Sequence, residues 1–209
     1  MIRDNALVAS GLFNDKLGGP SVKPYQPNGL WREKAMRTYY NTATFIRDKG
    51  DKLYRRGMYS FIKQASPPPQ MQLFDAPSRE FCTIKHRITN TPLQALALMN
   101  DEMYLEMSHM LATRLFKEVE GNWEEQLEAR IAQGLRLSTG RTPTRKELNN
   151  WVKFTNDILV RFSESIEDAK GLLSYGEKPV DESISPTELA ALTFSMSAAL
   201  NLDETITRD

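Results

Sequence analysis

Apolar residues recur at helical spacing through the C-terminal half of the chain, with polar residues between them. The first stripe runs from Met103 to Leu115 and is rich in methionine, and further stripes occupy residues 123–137, 144–162 and 185–200. Each stripe covers one side of a helix, and that side must be buried against a neighbour. The pattern therefore predicts a mainly α fold in which these helices form a helical bundle.

The N-terminal third of the chain lacks this periodicity. Residues 14–30 hold glycine and proline too often for a helix or a central strand, and Trp31 is expected to anchor the end of this loop in the core. Residues 44–54, TFIRDKGDKLY, predict one small β-hairpin that turns near Gly50. We therefore expect the bundle to carry an irregular N-terminal third.

Capping residues mark three helix starts. Thr91 comes before Pro92, whose missing N–H costs nothing at the first helical position. Thr144 and Glu147 have the spacing of a capping box, and residues 185–188, Ser-Pro-Thr-Glu, repeat that spacing. All three helices are therefore expected to begin at these positions.

Two further expectations concern faces and loops. Leu93, Leu96 and Ala97 are predicted to form the buried face of the helix that follows Pro92, and this helix ends near Asp101. Residues 167–184 are polar, contain glycine and proline, and are predicted to form a flexible surface loop.

Length and charge limit the fold and the partners. Residues 1–209 are predicted to form a single domain, with an irregular portion over residues 1–91 and a helical portion over residues 92–209. The 27 basic and 27 acidic side chains cancel, so no global field favours nucleic acid. No apolar run reaches the roughly 20 residues that a membrane span requires. Cys82 is the one cysteine, and we expect it to be a small buried apolar side chain.

The candidate functional residues lie in residues 74–91, an irregular stretch that leads into a clear helix start. Its polar and reactive side chains are Asp75, Arg79, Glu80, Cys82, His86 and Arg87. The spacing of Cys82 and His86 would put a thiol and an imidazole on one helical face. Motifs for zinc, haem attachment, nucleotide phosphates and a serine nucleophile are missing from the sequence, so no cofactor or metal is predicted.

Three interpretations of this stretch remain open. In the first, it shapes a non-catalytic surface that meets a partner domain or a glycan. In the second, Asp75, Glu80 and His86 perform acid–base chemistry, assisted by Arg79 or Arg87, in a hydrolase or lyase that acts on an anionic glycan. In the third, the stretch is a purely structural clamp over the helices, and Asp75 caps a local turn.

A second group of charges lies earlier in the chain. Lys52, Arg55, Arg56 and Lys63 fall within twelve residues. They could hold an anionic ligand, or they could form a solvated face that pairs with nearby carboxylates. The sequence leaves both interpretations open.

Long blocks of the sequence resemble the bacterial domain of unknown function 1553, which forms the C-terminal domain of large planctomycete-type proteins. The blocks span the chain from residue 3 to residue 206: RDNALVASGL, GGPSVKPYQPNGLW, LYRRGMYSFIKQASPPP, FDAPSREFCTIKHRITNTPLQALALMN and LNLDETI. Relatives often carry a cytochrome-c-like module, but this chain lacks the haem attachment motif. The family has no assigned catalytic residue that could be transferred.

The resemblance implies an exported bacterial protein, periplasmic or extracellular, that is encoded among sulfatase and polysaccharide-degradation genes. It also implies that the chain is the C-terminal part of a larger protein, so the preceding part of that protein is an expected partner. An apolar surface that includes Leu7, Leu12 and Phe13 would then be exposed here and could form a homodimer.

Overall fold

A computed structural model describes residues 1–34, 44–63, 66–77, 82, 84 and 89–207 of the chain. The chain divides into two compact units: unit 1 comprises Met1–Phe13 and Leu98–Asp209, and unit 2 comprises Asn14–Ala97. The single-domain organisation stays a prediction.

The described residues are mainly helical, which confirms the predicted fold class. The α-helices are α1 (Ile2–Ser10), α2 (Leu30–Lys34), α3 (Pro69–Leu73), α4 (Pro92–Asn100), α5 (Glu102–Glu118), α6 (Trp123–Thr139), α7 (Arg145–Glu164), α8 (Ile166–Leu173), α9 (Pro186–Leu200) and α10 (Asp203–Ile206). Two short 3₁₀ helices, Gly50–Tyr54 and Gly57–Tyr59, lie in unit 2. Within the described ranges, no helix is long and apolar enough to cross a lipid bilayer.

Unit 1 is a helical bundle built around α9. This helix packs against α5, α6, α7 and α8, and Leu189, Leu192 and Met196 on it are fully buried. The methionine-rich stripe of α5 is also in the core, since Met107 and Leu115 are fully buried. The predicted bundle and its principal apolar faces are therefore confirmed.

The helix ends of unit 1 follow local chemistry. Gly11 ends α1 in the left-handed region with a φ of 76°, a conformation that costs glycine little. Asp101 separates α4 from α5 by accepting a hydrogen bond from the Met103 N–H. Thr144 and Glu147 form the predicted capping box. Ser185 precedes α9 as predicted, but its side chain makes no capping hydrogen bond.

Three predictions about the fold are wrong. The β-hairpin is not formed, since residues 44–49 are irregular and Gly50–Tyr54 is a 3₁₀ turn. The predicted loop over residues 167–184 contains most of α8, whose first turn is capped by the Ser165 side chain. Leu7 is fully buried in unit 1, so it is not part of an exposed dimer surface.

Candidate functional site

The structure describes two of the six candidate side chains of the 74–91 stretch. These are Asp75 and Cys82, while Arg79, Glu80, His86 and Arg87 lie outside the described residues. Cys82 is exposed, which corrects the prediction that it is a small buried side chain. The surrounding sequence is polar and irregular, and it gives a thiol no apolar helix face to bury against. The roles of all six residues stay predictions.

Asp75 joins the two ends of the stretch. It follows α3 with a φ of 56°, a conformation that Asp and Asn adopt more readily than most residues. Its Oδ2 accepts hydrogen bonds from the Thr89 N–H at 3.1 Å and from the Thr89 hydroxyl at 2.5 Å. Asp75 therefore binds a residue fourteen positions away rather than capping a turn at Pro77.

Gln94 completes this connection from inside α4. Its side chain is 1% exposed, and its Nε2 donates to the Leu73 carbonyl at 2.7 Å and to the Thr89 Oγ1 at 3.0 Å. Its Oε1 accepts from the Thr91 N–H at 2.9 Å, while its own N–H donates to the Thr91 Oγ1 at 3.3 Å. Thr91 and Gln94 thus form a capping box. We call Asp75, Thr89, Thr91 and Gln94 the loop base.

The loop base determines which side of α4 faces solvent. Because Gln94 points inward to make these bonds, Leu93 and Leu96 are left 61% and 59% exposed. The prediction that these two leucines form the buried face is wrong. A buried amide with all of its polar atoms bonded is favourable, so a polar residue occupies the position expected for an apolar one. We call Leu93 and Leu96 the α4 leucine face.

A second arrangement in unit 2 combines lysine with aromatic rings. The Nζ atoms of Lys23 and Lys63 lie 5.4 Å and 4.6 Å from the Trp31 ring centroid, within the range of cation–π attraction. Lys23 is also 5.5 Å from the ring centroid of Phe61, which packs 5.7 Å from Trp31. We call Lys23, Trp31, Phe61 and Lys63 the lysine–tryptophan cluster.

The indole of Trp31 is buried as predicted, at 5% exposure, but its Nε1–H has no hydrogen-bond acceptor among the described residues. Leaving a buried donor unpaired costs about 1–3 kcal/mol. Sequence reasoning identified Trp31 and Lys63 separately and missed the cluster, because Lys23 and Phe61 are 38 residues apart and belong to no common motif. The basic spacing of Lys52, Arg55, Arg56 and Lys63 was the only signal near it.

Arg55, from that basic group, has a structural position. It is 5% exposed and donates from Nη1 to the Pro20 carbonyl, and from Nη2 to the carbonyls of Lys16 and Gly18 at 2.9 Å and 2.6 Å. Its guanidinium also lies 3.9 Å from the Tyr59 ring centroid. These contacts fold residues 16–20 around one cation, so Arg55 does not offer its charge to a ligand in solution.

Unit 1 contains a buried acid and a buried histidine. Glu106 is fully buried, and its Oε1 accepts from the backbone N–H groups of Glu177 and Lys178 at 2.6 Å and 2.8 Å. His109 is 1% exposed, neither ring nitrogen has a partner in the described part of the chain, and burial lowers the pKa of its imidazole. No group of three metal-ligating side chains occurs among the described residues.

A shallow pocket in unit 1 lies beside Arg141. It has a volume of about 80 Å³ and an apolar floor that includes Leu135 and Trp151. Arg141 bridges Glu147 and Glu204, with closest N–O distances of 2.7 Å to each. Its charge is therefore compensated within the protein, and the pocket presents no free acid–base pair.

The family described as "PSD1: Protein of unknown function (DUF1553)" matches residues 1–155. That range contains the loop base, the α4 leucine face and the lysine–tryptophan cluster. No curated protein and no solved structure matches the chain. Since the match covers well over half of the sequence, this chain is a member of the DUF1553 family.

Proposed function

We propose that the chain is a non-catalytic interaction domain of an exported, periplasmic or extracellular, bacterial protein of polysaccharide utilisation. In this proposal the α4 leucine face docks against an apolar surface in the preceding part of the same protein. The observation that carries the proposal is the inverted orientation of α4, in which the loop base holds Gln94 inside and leaves Leu93 and Leu96 outside. The exported location and the polysaccharide context come from the family resemblance.

The chemistry of α4 favours a protein partner over a glycan. The nine residues of α4 include no charged side chain, and leucine offers no hydrogen bond to a sugar hydroxyl. Burying a leucine side chain contributes about 1.5–3 kcal/mol, so two leucines can form the centre of an interface if the partner presents apolar side chains. A complete interface of about 1,200–2,000 Å² would need further contacts around them.

The geometry of Asp75 supports a non-catalytic role for the loop base. Its Oδ2 is bonded twice to Thr89, and Thr89 is in turn bonded to Gln94. A carboxylate engaged in this way holds the ends of the stretch together, as the structural interpretation requires. The loop base thus contributes to binding by fixing the orientation of α4.

The test uses the purified N-terminal part of a full-length family protein as the probe. Calorimetric titration of the wild-type chain should show binding, and the double variant L93Q/L96Q should weaken it at least tenfold. The matched control is V160Q/I166Q, which replaces two apolar side chains that are 59% and 52% exposed on other helices. The control should bind like the wild type.

Two outcomes would contradict the proposal. One is the absence of binding by the wild-type chain, or an equal loss in both double variants. The other is a concentration-dependent dimer, seen by light scattering, that L93Q/L96Q dissociates, because a second copy would then be the occupant of this face. Circular dichroism of each variant would verify that it is folded.

A further inference from the structure

The polar atoms that the lysine–tryptophan cluster presents are all donors. A lysine ammonium donates three hydrogen bonds and accepts none, and an indole N–H only donates. Lys23 and Lys63 supply two ammonium groups, and Trp31 supplies a buried N–H with no acceptor among the described residues. A complementary ligand must therefore bring acceptors, and negative charge satisfies ammonium donors best.

The charge around the cluster also favours an anion. Because both ammonium groups lie close to the same ring, they are within about 10 Å of one another, which is a Debye length at moderate salt. Lys23 forms no ion pair with a carboxylate in the part of the chain that is described. The carboxylate of Asp48 is bonded to the Lys23 backbone N–H at 2.7 Å and lies 4.0 Å from the Lys52 Nζ.

The aromatic rings define the rest of the ligand. Phe61 is 38% exposed and lies beside Trp31, so the cluster offers an apolar surface next to its cations. A simple inorganic anion would use the ammonium groups and leave this surface uncovered. A ring that carries an acid group at its edge and aliphatic C–H groups on its face would contact both parts.

We propose that the lysine–tryptophan cluster binds a carboxylate or sulfate group carried on a sugar ring, with the acid group between Lys23 and Lys63 and the ring face against Phe61. The net charge of the chain is zero, so attraction of long polyanions by a global field is weak. Binding at this site therefore depends on local contacts and should be saturable by a short oligosaccharide. The proposal is independent of the α4 leucine face.

The experiment follows the indole N–H of Trp31 by ¹H–¹⁵N NMR in the full chain, with the signal assigned from a W31F variant. Four probes are titrated: a sulfated tetrasaccharide, a uronic-acid tetrasaccharide, a neutral maltotetraose and sodium sulfate. At least one acidic tetrasaccharide should shift the Trp31 signal and saturate, whereas the neutral sugar should not. The signals of Trp123 and Trp151, in unit 1, serve as internal references.

The paired variants locate the binding. K23Q/K63Q should weaken the acidic tetrasaccharide at least tenfold, and K146Q/K153Q, which removes two exposed lysines of α7, should leave affinity unchanged. The proposal is overturned if no acidic tetrasaccharide moves the Trp31 signal, or if both lysine pairs have the same effect. It is also overturned if sodium sulfate binds as tightly as the tetrasaccharides, because the ring would then contribute nothing.

Discussion

At the scale of single residues, the polar side chains inside this protein explain more than the apolar ones. Gln94 is almost fully buried, and it connects Leu73, Thr89 and Thr91 through its side-chain amide. Nothing in the residues around it predicts this, because Thr89 and Leu73 are five and 21 positions away. A helical pattern gives the spacing of a face, and the hydrogen bonds of one buried amide decide which face points inward.

Asp75 provides the residue-scale test of the loop base. Replacing it with alanine removes the acceptor of two Thr89 hydrogen bonds and puts a less tolerant residue at a φ of 56°. We expect Asp75→Ala to lower the free energy of unfolding by about 1–2 kcal/mol. Asp75→Asn keeps one acceptor oxygen and the backbone tolerance, so its loss should be smaller. Urea denaturation followed by circular dichroism measures both, and an unchanged midpoint for Asp75→Ala would refute the role of the loop base.

At the scale of elements, the sequence predicted helices where caps and apolar stripes agree. Thr144 with Glu147 and the α5 stripe gave correct helices, because both signals act within a few residues. The hairpin at residues 44–54 failed because a Gly50 turn signal is shared by hairpins and 3₁₀ turns. Helix α8 was missed because its first turn is acidic and Gly171 interrupts the pattern, while its stability comes from packing against α9.

The same Ser/Thr-x-x-Glu spacing behaves differently at two helix starts, which allows a matched comparison. The Thr144 side chain accepts from the Glu147 N–H, whereas Ser185 makes no capping bond and its hydroxyl lies 3.0 Å from that of Thr187. We expect Thr144→Ala to lower the free energy of unfolding by about 1 kcal/mol and Ser185→Ala to change it by less than about 0.5 kcal/mol. Thermal melting of the two variants measures the difference, and equal losses would contradict it.

Two helical glycines give a second comparison between elements. A Cβ on Gly134 in α6 would lie 2.9 Å from the Leu115 Cδ1 and would also collide with Met196, whereas a Cβ on Gly171 in α8 would meet nothing within 4 Å. Gly134→Ala should therefore destabilise unit 1 by about 1–3 kcal/mol through overpacking. Gly171→Ala should stabilise it by about 0.5–1 kcal/mol, because alanine loses less backbone entropy in a helix.

Urea denaturation of both glycine variants decides whether α6 depends on this close approach. Stabilisation by Gly134→Ala would mean that the α5 and α9 side chains can move aside, and that Gly134 has no packing role. The Gly171 variant controls for the intrinsic helix preference of alanine, since only the surroundings of the two glycines differ.

At the scale of the whole molecule, a net charge of zero conceals strongly placed individual charges. In unit 1, Arg141 is bonded to Glu147 and Glu204 and lowers the pKa of both carboxyls, to about 2 for Glu147. Bonds from Ser183 and Lys117 likewise lower the pKa of Asp181 to about 2. These carboxylates stabilise the fold above their ordinary pKa, and the stabilisation is lost as the pH falls towards 2. Acid unfolding through these groups therefore belongs below about pH 4.5.

His109 should produce a separate loss of stability at milder pH. Burial lowers the pKa of its imidazole below the ordinary value of 6.5, although the nearby Glu106 acts in the opposite direction. The unfolded chain then takes up a proton near pH 6.5 that the folded chain does not, so the free energy of unfolding decreases as the pH falls below that value. The decrease is at most about 1.4 kcal/mol per pH unit and ends at the lowered pKa.

Urea denaturation between about pH 5 and pH 8 measures this dependence. The wild-type protein should lose stability below about pH 6.5, and His109→Leu should flatten the curve in that range because an apolar side chain has no proton to bind. His86→Gln, which removes the other histidine, should retain the wild-type slope. If His109→Leu and the wild type have parallel curves, the buried imidazole is not the group that titrates, and the acid sensitivity of unit 1 must arise entirely from its carboxylates.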